Sequence, residues 1–203
     1  MISLYIDTAT SYPIISLIKD NEIIYLYKDK IDGDISVSIF SIIETGFKKA
    51  NISAKDVDNI YVVNGPGSFT GTRIGVTIAK VFAWSLDKKV VPLSTLMTYA
   101  TTKTDRKKVL SIIDARHNHA YAGLYDNDLN VIVKDNYMSL DDIKAMINDD
   151  VCVVSNDEFD FETIKPEVDI IRIINSNHDF VNPHSLNPNY CKLTEAEEKR
   201  RNG

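Results

Sequence analysis

Apolar residues along this chain come in short runs that repeat one order of elements twice. "SLYID", "PIISLIK" and "EIIYLYK" open it, each rich in Ile, Leu and Tyr and bounded by turn residues. They predict three strands, the last two joined across the turn "DN". The period then changes. In "DISVSIFSIIETGFKKAN", Ile35, Ile39, Ile42 or Ile43, and Phe47 recur at helical spacing, which predicts an amphipathic helix despite several β-branched residues. "NIYVVN" reads as a buried strand, "TRIGVTIAKVFAWSL" as a helix and "KVVP" as a short strand, with a further helix opening at Ser94. The second half reads the same way. "KKVLSIID", "HAYAGLYD" and "NVIVKD" predict strands, and "SLDDIKAMIND" predicts a helix with Ser139 as N-cap and Asp142 three residues on. "VCVVSN" predicts another buried strand.

Strand–strand–strand–helix–strand therefore occurs twice, which predicts a duplicated two-lobe α/β fold. The polar, basic segment "TTKTDRKK" (Thr101–Lys108) marks the boundary, giving an N-terminal lobe over 1–104 and a C-terminal lobe over 105–203. After Pro183 the chain becomes rich in Pro and Asn, and a short charged helix is expected from Thr194. Each half's first strand ends in Asp and a polar turn, "LYIDTATS" and "SIIDARHNH", so Asp7 and Asp114 hold equivalent places. Paired strand–Asp–turn units are how actin-like, sugar-kinase and Hsp70-type ATPases hold phosphates and magnesium. The architecture resembles that ribonuclease H-like superfamily, a likeness of fold that does not fix function.

At 203 residues, 44% hydrophobic and 26% charged, the chain has the composition of a folded globular protein. Its net charge of −6 argues against a protein whose main task is gripping nucleic acid. The opening "MISLYID" enters a strand with no basic flank, and no apolar run nears the roughly 20 residues of a membrane span. Cys152 and Cys191 are unclustered. A cytoplasmic protein with reduced thiols is expected.

The chemistry concentrates in "VVNGPGSFTGTRIGVTIAK", which holds four of the eight glycines between a strand and a helix. That is the geometry of an anion site, where free N–H groups and the helix dipole favour negative charge. The stretch fits neither the P-loop pattern nor the dinucleotide fingerprint. Two readings stand side by side: Gly65, Pro66, Gly67, Ser68, Thr70 and Gly71 cradle a phosphate together with Asp7, Thr8 and Asp114, or the glycines serve a tight turn and close helix packing. The helix that follows is apolar on nearly every side, which calls either for a second chain as cover or for burial inside the fold. His117 and His119, His178 and His184 lack companions for a metal site, and no G-x-S-x-G elbow occurs.

"GPGSFTGTRIGVTIAK" resembles the GPGSFTGLRIG-type signature of the bacterial TsaB family, also called YeaZ. "LYIDTATS", "WSLDKKVVPLSTL", "IIDARHNHAYAGLY" and "NPNYCKLTEAE" resemble its further motifs, in order and from end to end. The resemblance implies an actin-like two-lobe fold and a catalytically inactive subunit. That subunit supports TsaD, the transferase that makes N6-threonylcarbamoyladenosine in tRNA, with the ATPase TsaE as a further partner. It implies a homodimer in isolation, contact with tRNA only through the complex, no intrinsic cofactor or metal, and ATP or ADP at the complex interface at most. The surface implied is the face of helices 35–49 and 70–86, with Ile35, Ile39, Ile42, Ile43, Arg73, Ile74, Thr77, Ile78, Val81 and Phe82. The catalytic relative carries His-x-x-x-His ligands where this chain has Thr95 and Tyr99, neither a transition-metal ligand. That absence weakens the superfamily's glycoprotease label. The chain departs from the family in "DGDISVSIF", in Arg116-His117 and at Cys191. An actin-like ATPase or kinase acting alone through Asp7 and Asp114 is the alternative.

Overall fold

The computed structural model describes residues 1–31 and 33–191. The helix expected from Thr194 lies outside the described residues. The chain divides into two units, Met1–Thr95 with Asp169–Pro188, and Leu96–Val168 joined by the described residues 189–191.

In the first unit, β1 (Ile2–Asp7), β2 (Ile14–Lys19) and β3 (Glu22–Lys28) pair antiparallel. The β2–β3 turn uses Asp20 and Asn21, both at positive φ, as a two-residue hairpin with strand-matched twist requires. β4 (Asn59–Gly65) and β5 (Lys89–Ser94) add in parallel, so the sheet order is β3-β2-β1-β4-β5. Parallel neighbours need crossovers. α1 (Ile35–Ala50) makes one, opened by Asp34 accepting from the Ser36 N–H and closed by left-handed Asn51. α2 (Phe69–Ser85) makes the other, with Ser68 as N-cap.

Both helices cover one face of this sheet. Ile39 and Ile43 of α1 join Val76, Ile78, Ala79 and Ala83 of α2 against Leu4, Ile6, Ile15, Leu17, Ile60 and Val62. The Phe47 and Phe82 rings stack with centroids 6.3 Å apart where the helices meet. This corrects the sequence-derived surface at three positions: Ile39, Ile43 and Ile78 are core residues. Helical periodicity finds the most apolar stripe, and that stripe faces the sheet.

In the second unit, β6 (Lys108–Asp114), β7 (His119–Asp126), β8 (Val131–Ser139) and β9 (Val151–Val154) form a sheet of order β8-β7-β6-β9. Pairing directions match the first unit, antiparallel for β6–β7–β8 and parallel for β6–β9. That is the duplicated plan the sequence predicts, less one strand among the described residues. α4 (Leu140–Met146), capped by Ser139, buries Ile143 against Leu110, Ile112, Ala122 and Val153. Among the described residues of this unit, no helix follows β9 as α2 follows β4. Phe159 and Phe161 stack at 5.2 Å and pack on that core instead.

A single cut at 104/105 differs from the observed division. α3 (Thr95–Tyr99) carries the change of unit, and Asp169–Pro188 returns to the first unit. Val181 bridges to Val90, the Asn64 side-chain amide donates to the Asn187 carbonyl at 3.0 Å, and Leu186 enters the first core. α5 (Ile170–Ile174) lies in this segment, and the Tyr61 hydroxyl donates to the Ile174 carbonyl at 3.4 Å.

Neighbouring positions on α1 should separate cleanly. Ile39→Ala is expected to lower the unfolding free energy by about 2–5 kcal/mol, and Phe40→Ala by under about 1 kcal/mol. Urea denaturation of the two variants measures the difference.

Candidate functional site

The glycine-rich stretch folds onto the turn that leaves β1. The Ser68 N–H donates to the Ala9 carbonyl at 2.8 Å, and the Thr8 hydroxyl donates to the Gly71 carbonyl at 2.7 Å. A Cβ at Gly71 would fall inside the Thr8 carbonyl oxygen, and one at Gly67 inside that of Ala9. Glycine stands at both places because backbone meets backbone there. Gly65 and Pro66 are buried beside them, joined by a cis peptide bond, while Gly67, Ser68 and Thr70 are exposed. The Gly71 N–H donates to Ser68 Oγ at 3.2 Å. Two N–H groups that a phosphate would need are thus held by the chain itself. The close approach that the glycines announce is to Thr8 and Ala9.

Asp7 and Thr8 are buried. The Asp7 carboxylate accepts the Ala9 N–H at 2.9 Å. Burial raises its pKa from the ordinary carboxylate value to about 7, against the lowering effect of that hydrogen bond. Tyr5, two residues back on the same side of β1, is raised well above the usual phenol value by burial and by the Asp7 charge.

Asp114 repeats the local geometry in the second unit. It accepts the N–H two residues on, from Arg116, at 2.9 Å, while its own N–H donates to Asp157 at 2.8 Å. Unlike Asp7 it is exposed. Arg116, His117 and Asn118 follow at positive φ. Both aspartates therefore brace their own turns, as Asp does in Asx turns.

Thr95 and Tyr99 lie on α3, both buried. The Tyr99 hydroxyl accepts the Asn156 amide at 2.8 Å. Hydroxyls at these two places are poor donors for a transition metal. The His119 ring lies on Tyr137 at 4.6 Å, with Nδ1 at 2.8 Å from the His117 carbonyl. Among the described residues no group of three His, Cys, Asp or Glu is placed to hold a metal.

The helix pair presents a different kind of surface. On its outward side α1 exposes Val37 (72%) and Phe40 (58%), and α2 exposes Phe69 (56%), Val81 (55%) and Trp84 (67%). Arg73 lies over the Phe69 ring at 3.8 Å, and Thr77 continues the exposed row. Ile35, Ile42, Ile74 and Phe82 are half-buried along its edges. Seven of the ten residues named from sequence thus border or form this surface. Val37, Phe40, Phe69 and Trp84 were missed. Their signal is a second apolar row beside the core stripe. Clustered exposed apolar residues of this kind mark interaction surfaces. The expectation that α2 is buried within its own fold on all sides is not met.

Residues 34–180, more than half of the chain, match the family model described as TsaD: tRNA N6-adenosine threonylcarbamoyltransferase. The chain is 28% identical over 223 residues to the Bacillus subtilis tRNA threonylcarbamoyladenosine biosynthesis protein TsaB, covering 98% of this chain and 97% of that one. It is 32% identical over 132 residues to the Escherichia coli TsaB, covering 64% and 57%. A crystal structure of an uncharacterized protein with similarity to peptidase YeaZ from Pseudomonas aeruginosa superposes with TM-score 0.78 at 17% identity. It covers 94% of this chain and 99% of that one, a likeness of fold. No helix among the described residues is long and apolar enough to cross a membrane.

Two outcomes follow from this geometry. Gly71→Ala should destabilise the fold with no ligand present, by about 1–3 kcal/mol for a forced backbone shift, whereas a pure ligand cradle would leave the free protein's unfolding midpoint unmoved. For Asp7, a folded pKa near 7 above the ordinary 3.8 favours the neutral form. Its contribution is fully present below pH 4 and is lost as pH rises through about 7, at about 1.4 kcal/mol per pH unit between the two values. Asp7→Asn, which keeps an acceptor for the Ala9 N–H, should match wild type near pH 4 and exceed its melting temperature at pH 8.

Proposed function

The chain belongs to the family of the TsaD transferase model and, within it, to the TsaB (YeaZ) group, and on that footing we propose that it is the non-catalytic subunit of a tRNA-modifying complex. It supports a TsaD-type transferase in forming N6-threonylcarbamoyladenosine, in the cytoplasm, with a TsaE-type ATPase as a further partner. One observation carries this reading: α1 and α2 turn a row of apolar side chains, Val37, Phe40, Phe69, Val81 and Trp84, out to solvent. Such a row costs free energy in water and gains it under a protein partner. In isolation a second copy of the chain covers it, and in the complex the transferase does.

The rest of the molecule agrees with a supporting role. The turns of Asp7 and Asp114 are braced by their own backbone. The start of α2 spends the Ser68 and Gly71 N–H groups on Ala9 and Ser68. These hydrogen bonds support a chain without an intrinsic phosphate site, with ATP or ADP held at the interface of the assembled complex. Contact with tRNA is made through the transferase, in keeping with the net charge of −6.

Co-expression with the organism's transferase should yield a stable complex. Phe40→Asp, on an exposed position, should weaken it about tenfold or more without changing the isolated chain's unfolding. Deleting the gene should lower threonylcarbamoyladenosine in tRNA, read by nucleoside mass spectrometry. Undiminished modification together with failure to form any complex would overturn the proposal.

A further inference from the structure

Among the described residues the second sheet stops one strand short of the first, and the lane beside β9 is nearly empty. In the first sheet β5 fills the equivalent lane, parallel to β4 from Asn59 to Gly65. In the second, a single residue enters it. The Ile164 N–H donates to the Val153 carbonyl at 2.9 Å, and the Ser155 N–H donates to the Ile164 carbonyl at 3.0 Å. Successive residues of a strand turn their backbone groups to opposite sides. The Lys108 N–H takes the Asp150 carbonyl, and pairing with β6 continues through Cys152 and Val154, so Val151, Val153 and Ser155 turn outward. The Val151 N–H closes a turn on the Asn148 carbonyl at 3.0 Å. That leaves the Val151 carbonyl and the Val153 N–H, one rung before Ile164, with no partner among the described residues.

A cavity of about 630 Å3 opens at this rung, a size that ligand sites commonly have. Its lining comes from β9 and from 103–106, 147–149 and 162–164, all in the second unit. Two of these segments are tied together. The Arg106 guanidinium donates to the Asp149 carbonyl, and the Asn127 side chain donates to the Arg106 carbonyl at 3.0 Å. The third leaves the lane: Ile164 is paired, whereas Glu162 lines the cavity. Val151 and Val153 are only 7% and 6% exposed, so the open rung lies in a recess. Backbone groups left without a partner in such a place are rare.

We propose that this lane is a peptide-binding site: one residue of an extended segment from another protein fills the open rung, its N–H on the Val151 carbonyl and its C=O on the Val153 N–H, as Ile164 does one step further on. Strand addition of this kind draws its affinity from main chain. Charge does not choose the occupant, because Lys103 and Arg106 share the lining with Asp105, Asp149 and Glu162. The neighbours of the rung do: Ile147, Val151 and Val153 pack on the second core and suit small apolar side chains beside it. A lone extended segment enters between the flanking segments. A second copy does not, since its own β9 lies in the same recess and its free edges, β3 and β8, are each backed by a sheet. The site belongs to the second unit and stands independently of the α1–α2 face.

Amide hydrogen exchange, read by NMR on the full chain, tests this. The probe is an equimolar pool of capped tetrapeptides of Ala, Val, Ile and Thr. In the free chain the Val153 amide should exchange at least about tenfold faster than those of Cys152 and Val154, which bond to β6. The pool should slow it about tenfold, and the same pool N-methylated along its backbone should not. Val153→Pro removes a donor that serves no bond to β6. It should keep the fold and abolish the peptide-induced shifts of its neighbours; if it fails to fold, the N-methylated pool carries the comparison. A Val153 amide as protected as its neighbours in the free chain means that Glu162 closes the lane itself, which overturns the proposal. Protection that rises with the chain's own concentration makes a second copy the occupant and overturns it too. So does an exchange rate that the pool leaves unchanged up to its solubility.

Discussion

The docking of the β1 exit turn onto the start of α2 is the constraint on which the rest of the first unit depends. Thr8 and Ala9 meet Gly71 and Ser68 through two hydrogen bonds, 2.7 and 2.8 Å, with backbone in contact on both sides. That clamp fixes where α2 begins and so its rotation about its own axis. Rotation decides which residues reach the sheet and which reach solvent. Val76, Ile78, Ala79 and Ala83 go inward, and Phe69, Val81 and Trp84 go outward. The glycines of this stretch thus aim a helix, through backbone contact with Thr8 and Ala9.

Much of this was legible in the sequence. Period-2 and period-3.6 runs give every strand and the two long helices, because burial on one face leaves a mark that burial alone explains. The repeated element order gives the duplication, and the matched Asp–turn pairs resolve into matched Asx hydrogen bonds at Asp7 and Asp114. What was not legible is of two kinds. Rows of apolar residues on one helix look alike whether they face a core or a partner, so periodicity assigns Ile39, Ile43 and Ile78 to the outer face and leaves Phe40 and Trp84 out of it. Contacts across long sequence separation leave no periodic trace. The bridge from Val181 to Val90 and the His184 ring beside Trp84 belong to that class.

The two halves show how far a duplication can drift while keeping its frame. Strand order and pairing direction survive in both sheets. Among the described residues the fifth strand and the second crossover helix do not: an isolated bridge between Val154 and Ile164 and the stacked Phe159–Phe161 pair stand in their places. The first unit keeps both helices.

The return of Asp169–Pro188 to the first unit has a consequence for how the protein is made. The segment supplies Leu186 to the first core and the Val181 bridge to the β5 edge. A chain emerging from the ribosome has the first five strands and both long helices in hand by Ser94, yet the surface they require comes nearly a hundred residues later. Synthesis of Leu96–Val168, the larger part of the second unit, intervenes. The stretch that sets His184 beside Trp84 is therefore made late, so a nascent or prematurely ended chain displays the helical row without that neighbour.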